Sequence, residues 1–166
     1  MEKLSERINR LAESATLAMA RMSRELKAEG KDVIALSLGE PDFNTPEFIK
    51  NAAKEAITNN YSHYTPVSGL DDLRISIANK FKRDNNLDFT KDEIVVSTGA
   101  KQSLANICLS LLDPGDEVLL PCPYWVSYAE IIKLAEGTPI EISSSVKDNF
   151  KVSAKEIENA ITEKTK

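Results

Sequence analysis

Between residues 94 and 161 the chain alternates short apolar or β-branched runs with helix-length segments that have one apolar face, and no other feature constrains the fold as much. Residues 94–97, Ile-Val-Val-Ser, read as a strand. Residues 100–112 read as a helix, with Leu104, Ile107, Cys108, Leu111 and Leu112 at helical spacing. Asp113-Pro114-Gly115-Asp116 is a turn signal, residues 117–120 a second strand, residues 126–135 a helix and residues 139–142 a third short strand. Ser153 and Glu156 have capping-box spacing, ahead of a last helix with Ile157, Ala160 and Ile161 on one face. That helix is expected to finish at residues 162–166 with no strand after it. Strands separated by helices need crossover connections, which give a parallel sheet covered by helices. The expectation is therefore an α/β fold with a largely parallel sheet. Three short strands make a poor doubly wound domain, so the segment reads as the first part of a longer protein, with an uncovered sheet edge prone to association.

Upstream, residues 15–29 have helix-forming composition and stop at Gly30, a good residue just past a helix end. Thr45 reads as an N-cap, with Pro46 and Glu47 opening a helix to about residue 58. Residues 59–70 are turn-rich, and a helix over about 70–83 should place Leu73, Ile77 and Phe81 on one face.

Composition narrows the function. With 42% apolar and 28% charged residues and a net charge of −5, the chain suits a soluble domain rather than a nucleic-acid or anionic-membrane binder. No run of 18 apolar residues occurs, and the opening residues do not resemble a leader, so a cytoplasmic protein is expected. The two cysteines, Cys108 and Cys122, have no close cysteine or histidine, and His63 is the only histidine. A metal site or a histidine-based triad therefore has little material, and reduced thiols are expected.

Two stretches carry ligand chemistry. In STGAKQSL, a strand ends in small residues and opens directly into a helix, which aims several backbone N–H groups and the positive end of the helix dipole at one spot. Bare side chains let an anion reach the backbone. Neither the GxxxxGK spacing of a nucleotide-phosphate loop nor GxGxxG is present, so nucleotide phosphates are not favoured. In PCPYW, the lone tryptophan follows the next strand, so both features should lie at the carboxyl edge of one sheet. A phosphate cradle beside an indole suits a phosphorylated planar ring. A tight turn and a packing tryptophan are the plain structural alternatives.

The blocks SLGEPDFNTPEFI, HYTPVSGLDDLR, STGAKQSL and LLDPGDEVLLPCPYWVSY, in that order and spacing, resemble the fold-type I pyridoxal-phosphate aminotransferases. They are most similar to the bacterial and archaeal branch of class I aspartate aminotransferases, over residues 7–166. The resemblance implies a partial three-layer α/β/α large domain over residues 45–166, preceded by an N-terminal arm and small-domain segment over residues 1–44. It implies pyridoxal 5′-phosphate as cofactor, amino-acid and 2-oxo-acid substrates, and a homodimer. It places the cofactor phosphate at Gly99, Ala100 and Lys101, the pyridine ring on Trp125, and Tyr128 close to that ring. Tyr64 would reach the cofactor phosphate of the neighbouring subunit. Gly39 would lie against the substrate α-carboxylate. Ser14, Thr16 and the Lys101 side chain would recognise the distal carboxylate of aspartate or glutamate, with Trp125 also bordering the substrate. Each has a bland alternative: a turn at Gly39, a loop aromatic at Tyr64, helix capping at Ser14 and Thr16, a surface lysine at Lys101.

Four elements of the family pattern are not matched within these residues: the Asn-Pro-rich block, the aspartate facing the pyridine nitrogen, the Schiff-base lysine and the carboxylate-binding arginine. The resemblance places them beyond Lys166, so no catalytic residue is assigned here and the segment alone is expected to be inactive. The competing expectations are a prephenate- or aromatic-accepting aminotransferase, and a non-catalytic module that binds a phosphorylated ligand.

Overall fold

The computed structural model describes residues 4–166. By their contacts these form two compact units, one made of the chain up to Gly39 together with Gly99–Lys166, the other of Glu40–Thr98.

The first unit contains α1 (Glu6–Asn9), α2 (Ala15–Ala28), α5 (Ala100–Leu111), β1 (Glu117–Pro121), α6 (Ser127–Leu134), β2 (Thr138–Ile142) and α7 (Ala154–Ala160). The strands β1 and β2 pair in parallel, with Leu119 beside Ile140, and α6 is their crossover. This is the expected β-α-β unit. Its core is Leu120, Ala129 and Ile132, with Cys108, Leu112, Val118 and Tyr124 packed around it. On α5 the apolar face is narrower than its spacing implies, because Ile107 and Leu111 are exposed while Cys108 and Leu112 face the cluster.

The second unit contains α3 (Glu47–Thr58) and α4 (Asp71–Asn85), followed by a 3₁₀ turn at Lys91–Glu93. Arg74 of α4 is its buried polar anchor. The guanidinium donates to the Ile94 carbonyl at 3.0 Å, to Asp71 at 3.1 Å and to Asp92 at 3.2 Å. Of the α4 apolar stripe, Ile77 and Phe81 are half-buried, and Leu73 stays exposed.

Three local expectations are corrected. Pro46, not Thr45, caps α3, and it does so without a side-chain hydrogen bond, so α3 starts one residue later than its capping signal implies. Residues 94–97 form no strand: Ile94 is extended at φ −118°, ψ 127°, and Val96 N–H donates to the Ser68 carbonyl at 2.9 Å. A β-branched run favours extended backbone, but a strand also needs a ladder partner, and none pairs with it among the described residues. The chain after α7 also does more than end on a helix. Thr165 makes a parallel bridge to Glu117, with Glu117 N–H donating to the Lys164 carbonyl at 2.8 Å, so the backbone returns to the free edge of β1.

Candidate functional site

The turn before α5 has an unusual backbone. Gly99, its N-cap, sits at φ 84°, ψ 160°, a region that residues with a Cβ essentially avoid. A Cβ built there would meet nothing within 4 Å, so the glycine is required by backbone conformation and not by crowding. No side chain caps this helix end. The first N–H groups of any α-helix lack intrahelical partners, so the start of α5 at Ala100 and Lys101 offers donors and a positive dipole end toward open space. Lys101 Nζ stands 5.1 Å from the centroid of the Trp125 ring. A cation at a helix N-terminus is mildly disfavoured by the dipole, and the indole quadrupole offsets this by about 0.5–1 kcal/mol at an exposed site.

Trp125 lies two residues ahead of α6, and its carbonyl accepts from Tyr128 N–H at 2.9 Å. Trp125 is 44% exposed and Tyr128 37%, so both rings are partly open to a ligand. The spacing of 24 residues between Lys101 and Trp125 is closed by the packing of α5 against α6, not by two neighbouring strands as expected, since no strand precedes α5 among the described residues. Gly39, in the same unit, is exposed, lies outside the left-handed region and has no atom near a would-be Cβ. Nothing in the folded chain requires a glycine there.

Ser14 caps α2, its hydroxyl accepting from Leu17 N–H at 3.5 Å, and is half-buried, as is Thr16. Capping at this long distance leaves Ser14 free to donate its hydroxyl proton to a ligand. Ser14 also borders a groove of about 540 Å³ shared with Tyr124, Ser127 and Glu130. A contact that sequence reasoning missed crosses this groove: Glu130 of α6 accepts from Ala12 N–H at 2.8 Å and pairs with Lys133, also at 2.8 Å. Burial pushes the Glu130 carboxyl up, but the bonds from Lys133 and Ala12 together outweigh it and hold the group below its ordinary value. No local pattern could reveal a bond between residues 118 positions apart.

Tyr64 belongs to the second unit and is fully exposed, beside a hollow of about 310 Å³ that includes Asn59, Tyr61 and His63. Tyr124 donates its hydroxyl to Glu141, which pushes the phenol up to about 12, with burial adding to the shift. The thiols of Cys108 and Cys122 are both raised, chiefly by burial, and both are free. Among the described residues no group of three His, Cys, Asp or Glu is placed to hold a metal, and no helix is long and apolar enough to cross a membrane.

Comparison with known proteins shows the family. Residues 31–166 match the family model described as aminotransferase class I and II. A probable aspartate/prephenate aminotransferase of Rhizobium leguminosarum bv. phaseoli is 50% identical over 166 residues, covering all of this chain and 42% of the relative. The aspartate aminotransferase of Bacillus subtilis is 48% identical over 164 residues, 99% of this chain and 42% of its own. Among solved structures, the Thermus thermophilus aspartate aminotransferase with maleate superposes with a TM-score of 0.95 at 41% identity, covering 100% of this chain and 44% of the other. The Rhizobium meliloti aspartate aminotransferase gives the same TM-score at 42% identity, covering 99% and 41%. The chain thus spans about two-fifths of the length of the curated relatives it matches. With the β-α-β unit, the glycine-gated helix start and this match over most of its length, the chain belongs to the aminotransferase class I and II family.

Proposed function

We propose that this chain is the N-terminal portion of a pyridoxal-phosphate-dependent aminotransferase, a cytoplasmic homodimer that moves an amino group between aspartate or glutamate and a 2-oxo acid. The observation that carries the reading is the start of α5, where Gly99 adopts a glycine-only backbone in open space and the Lys101 ammonium stands 5.1 Å from the centroid of an exposed indole. The residues present fit a phosphorylated pyridine. In this reading Gly99, Ala100 and Lys101 bind the phosphate through backbone N–H groups, and Trp125 stacks on the ring with Tyr128 beside it. The ammonium of Lys101, now over the indole, turns toward the distal carboxylate of an acidic substrate together with Ser14 and Thr16. Gly39 admits the α-carboxylate, which its empty surroundings support. Tyr64 serves the partner subunit's site, which its complete exposure supports. Residues 1–44 form an arm and small-domain segment, and 45–166 the first part of the large domain.

When bound, the cofactor supplies an electron sink for the bond changes at the substrate Cα. In this reading the residues of this segment bind and orient, and the lysine that would hold the cofactor belongs to the rest of the enzyme. The test is amino transfer by the whole enzyme from aspartate and glutamate to 2-oxo acids. Turnover with both acidic donors is expected, and an enzyme that processes neither overturns the reading. The name of the Rhizobium leguminosarum relative favours one further acceptor, prephenate, which the same panel checks.

A further inference from the structure

The helix α6 ties two parts of the first unit together. Tyr128 stands in its first turn, and Trp125 lies just ahead of its N-cap, Val126. Halfway along, Glu130 holds the backbone of Ala12, two residues ahead of the Ser14 cap of α2 and four ahead of Thr16. Lys133, one turn on, fixes the other carboxylate oxygen of Glu130, and Arg7 reaches Glu136 near the end of the helix at 3.5 Å. The Glu130 side chain is 24% exposed, so its bond to Ala12 N–H is partly shielded from competing water. The arm before α2 has a groove beneath it, and of its two polar attachments among the described residues, this bond and the Arg7–Glu136 pair, this one lies nearer to Ser14 and Thr16.

We propose that Glu130 is a positioning residue for substrate specificity. By accepting from Ala12 N–H it sets where Ser14 and Thr16 stand relative to the aromatic plate, and so tunes selection of amino acids with a second carboxylate. This inference rests on the functional reading above. Ser14 ends the stretch of residues 11–14 that lies outside any helix, and Thr16 stands in the first turn of α2 just after it, so the Ala12 attachment lies within four residues of both hydroxyls. A hydroxyl displaced by about 1 Å no longer meets a carboxylate at hydrogen-bond distance, whereas an amino acid lacking that carboxylate is indifferent to the displacement.

The experiment uses the full-length holoenzyme and compares aspartate with alanine as amino donors. Glu130→Ala is expected to lower kcat/KM for aspartate about tenfold, the order of one hydrogen bond to a charged group. The values for alanine and for cofactor affinity should move less than about twofold, within the spread of surface substitutions. Glu130→Gln keeps an oxygen that accepts from Ala12 N–H and should retain most of the aspartate activity. Ala12→Pro removes the donor instead of the acceptor, so it should reproduce the selective loss, and combining it with Glu130→Ala should add nothing. Equal losses for aspartate and alanine, unchanged selectivity in both Glu130→Ala and Ala12→Pro, or a Gln variant as impaired as the Ala variant would each overturn the proposal. A wild-type enzyme that uses neither aspartate nor glutamate overturns the functional reading itself, and that result is separable because it needs no variant.

Discussion

Replacing Gly99 by alanine separates backbone conformation from every other influence at the anion site. The would-be Cβ touches nothing within 4 Å, so Gly99→Ala creates no clash and removes no contact. What it changes is the cost of φ 84°, ψ 160°, which for a residue with a Cβ is about 1–3 kcal/mol. The chain can meet that cost by holding the turn, in which case stability falls by the full amount. It can instead relax the turn, in which case α5 starts differently and the N–H groups of Ala100 and Lys101 no longer converge. Relaxation should weaken cofactor binding by about 5- to 150-fold, the same energy read as an affinity. The assay is paired: cofactor dissociation constant by equilibrium dialysis, and hydrogen exchange of the first α5 amides, both in the whole enzyme. The losses in the two readouts together should account for at least about 1 kcal/mol. Gly39→Ala is the internal comparison, since that glycine meets no neighbour and lies outside the left-handed region, so folding should be unaffected and any change should fall on substrate KM. If Gly99→Ala leaves both cofactor affinity and exchange unchanged, the strained turn is not what builds the anion site.

Two further outcomes follow from the packing and the charges. Arg74→Met leaves the Ile94 carbonyl without its donor and Asp71 and Asp92 without their shared cation; since both carboxylates are largely exposed, the cost should be about 2–3 kcal/mol, less than for a fully buried pair, read as faster exchange of the 94–97 amides. Unchanged exchange there would refute the anchoring role. Tyr124 should titrate at about 12 because it donates to Glu141, so the stability this bond contributes is fully present below the ordinary tyrosine value of 10.0 and is lost as pH rises through about 12. Glu141→Leu should bring one tyrosinate transition, followed by ultraviolet absorbance, down toward that ordinary value.

The fold was legible wherever the determinant is local. The Ser153–Glu156 box forms both of its reciprocal bonds, Gly30 stops the second helix at φ 82°, and the turn at Asp113–Asp116 separates α5 from β1 as its residues require. Legibility failed where a distant partner decides. The Val95-Val96 pair promises a strand, but among the described residues it has a bond from Val96 to Ser68 and no ladder partner, because extended backbone becomes a strand only beside another. The return of Thr165 to β1 was missed for the converse reason: Thr-Glu-Lys-Thr-Lys has no strand pattern of its own and is placed by the edge it meets.

The candidate site divides along the same line, and the division says where specificity can be tuned. Gly99 and the helix start after it are a strictly local device, recognisable from small residues between an apolar run and a helix. The contact between Lys101 and Trp125, and still more the bond from Ala12 to Glu130, exist only once α5 and the arm before α2 have packed against α6. A local device is fixed by few residues and tolerates little change, as befits holding one phosphate. Contacts made across the unit depend on how α6 sits on β1 and β2, and Ile132, 3% exposed and at the centre of that packing, sets this position. Small shifts of α6 would therefore carry Trp125 and the Ala12 attachment together, keeping the aromatic plate and the acid-recognising arm in register while the anion site at Gly99 keeps its own geometry.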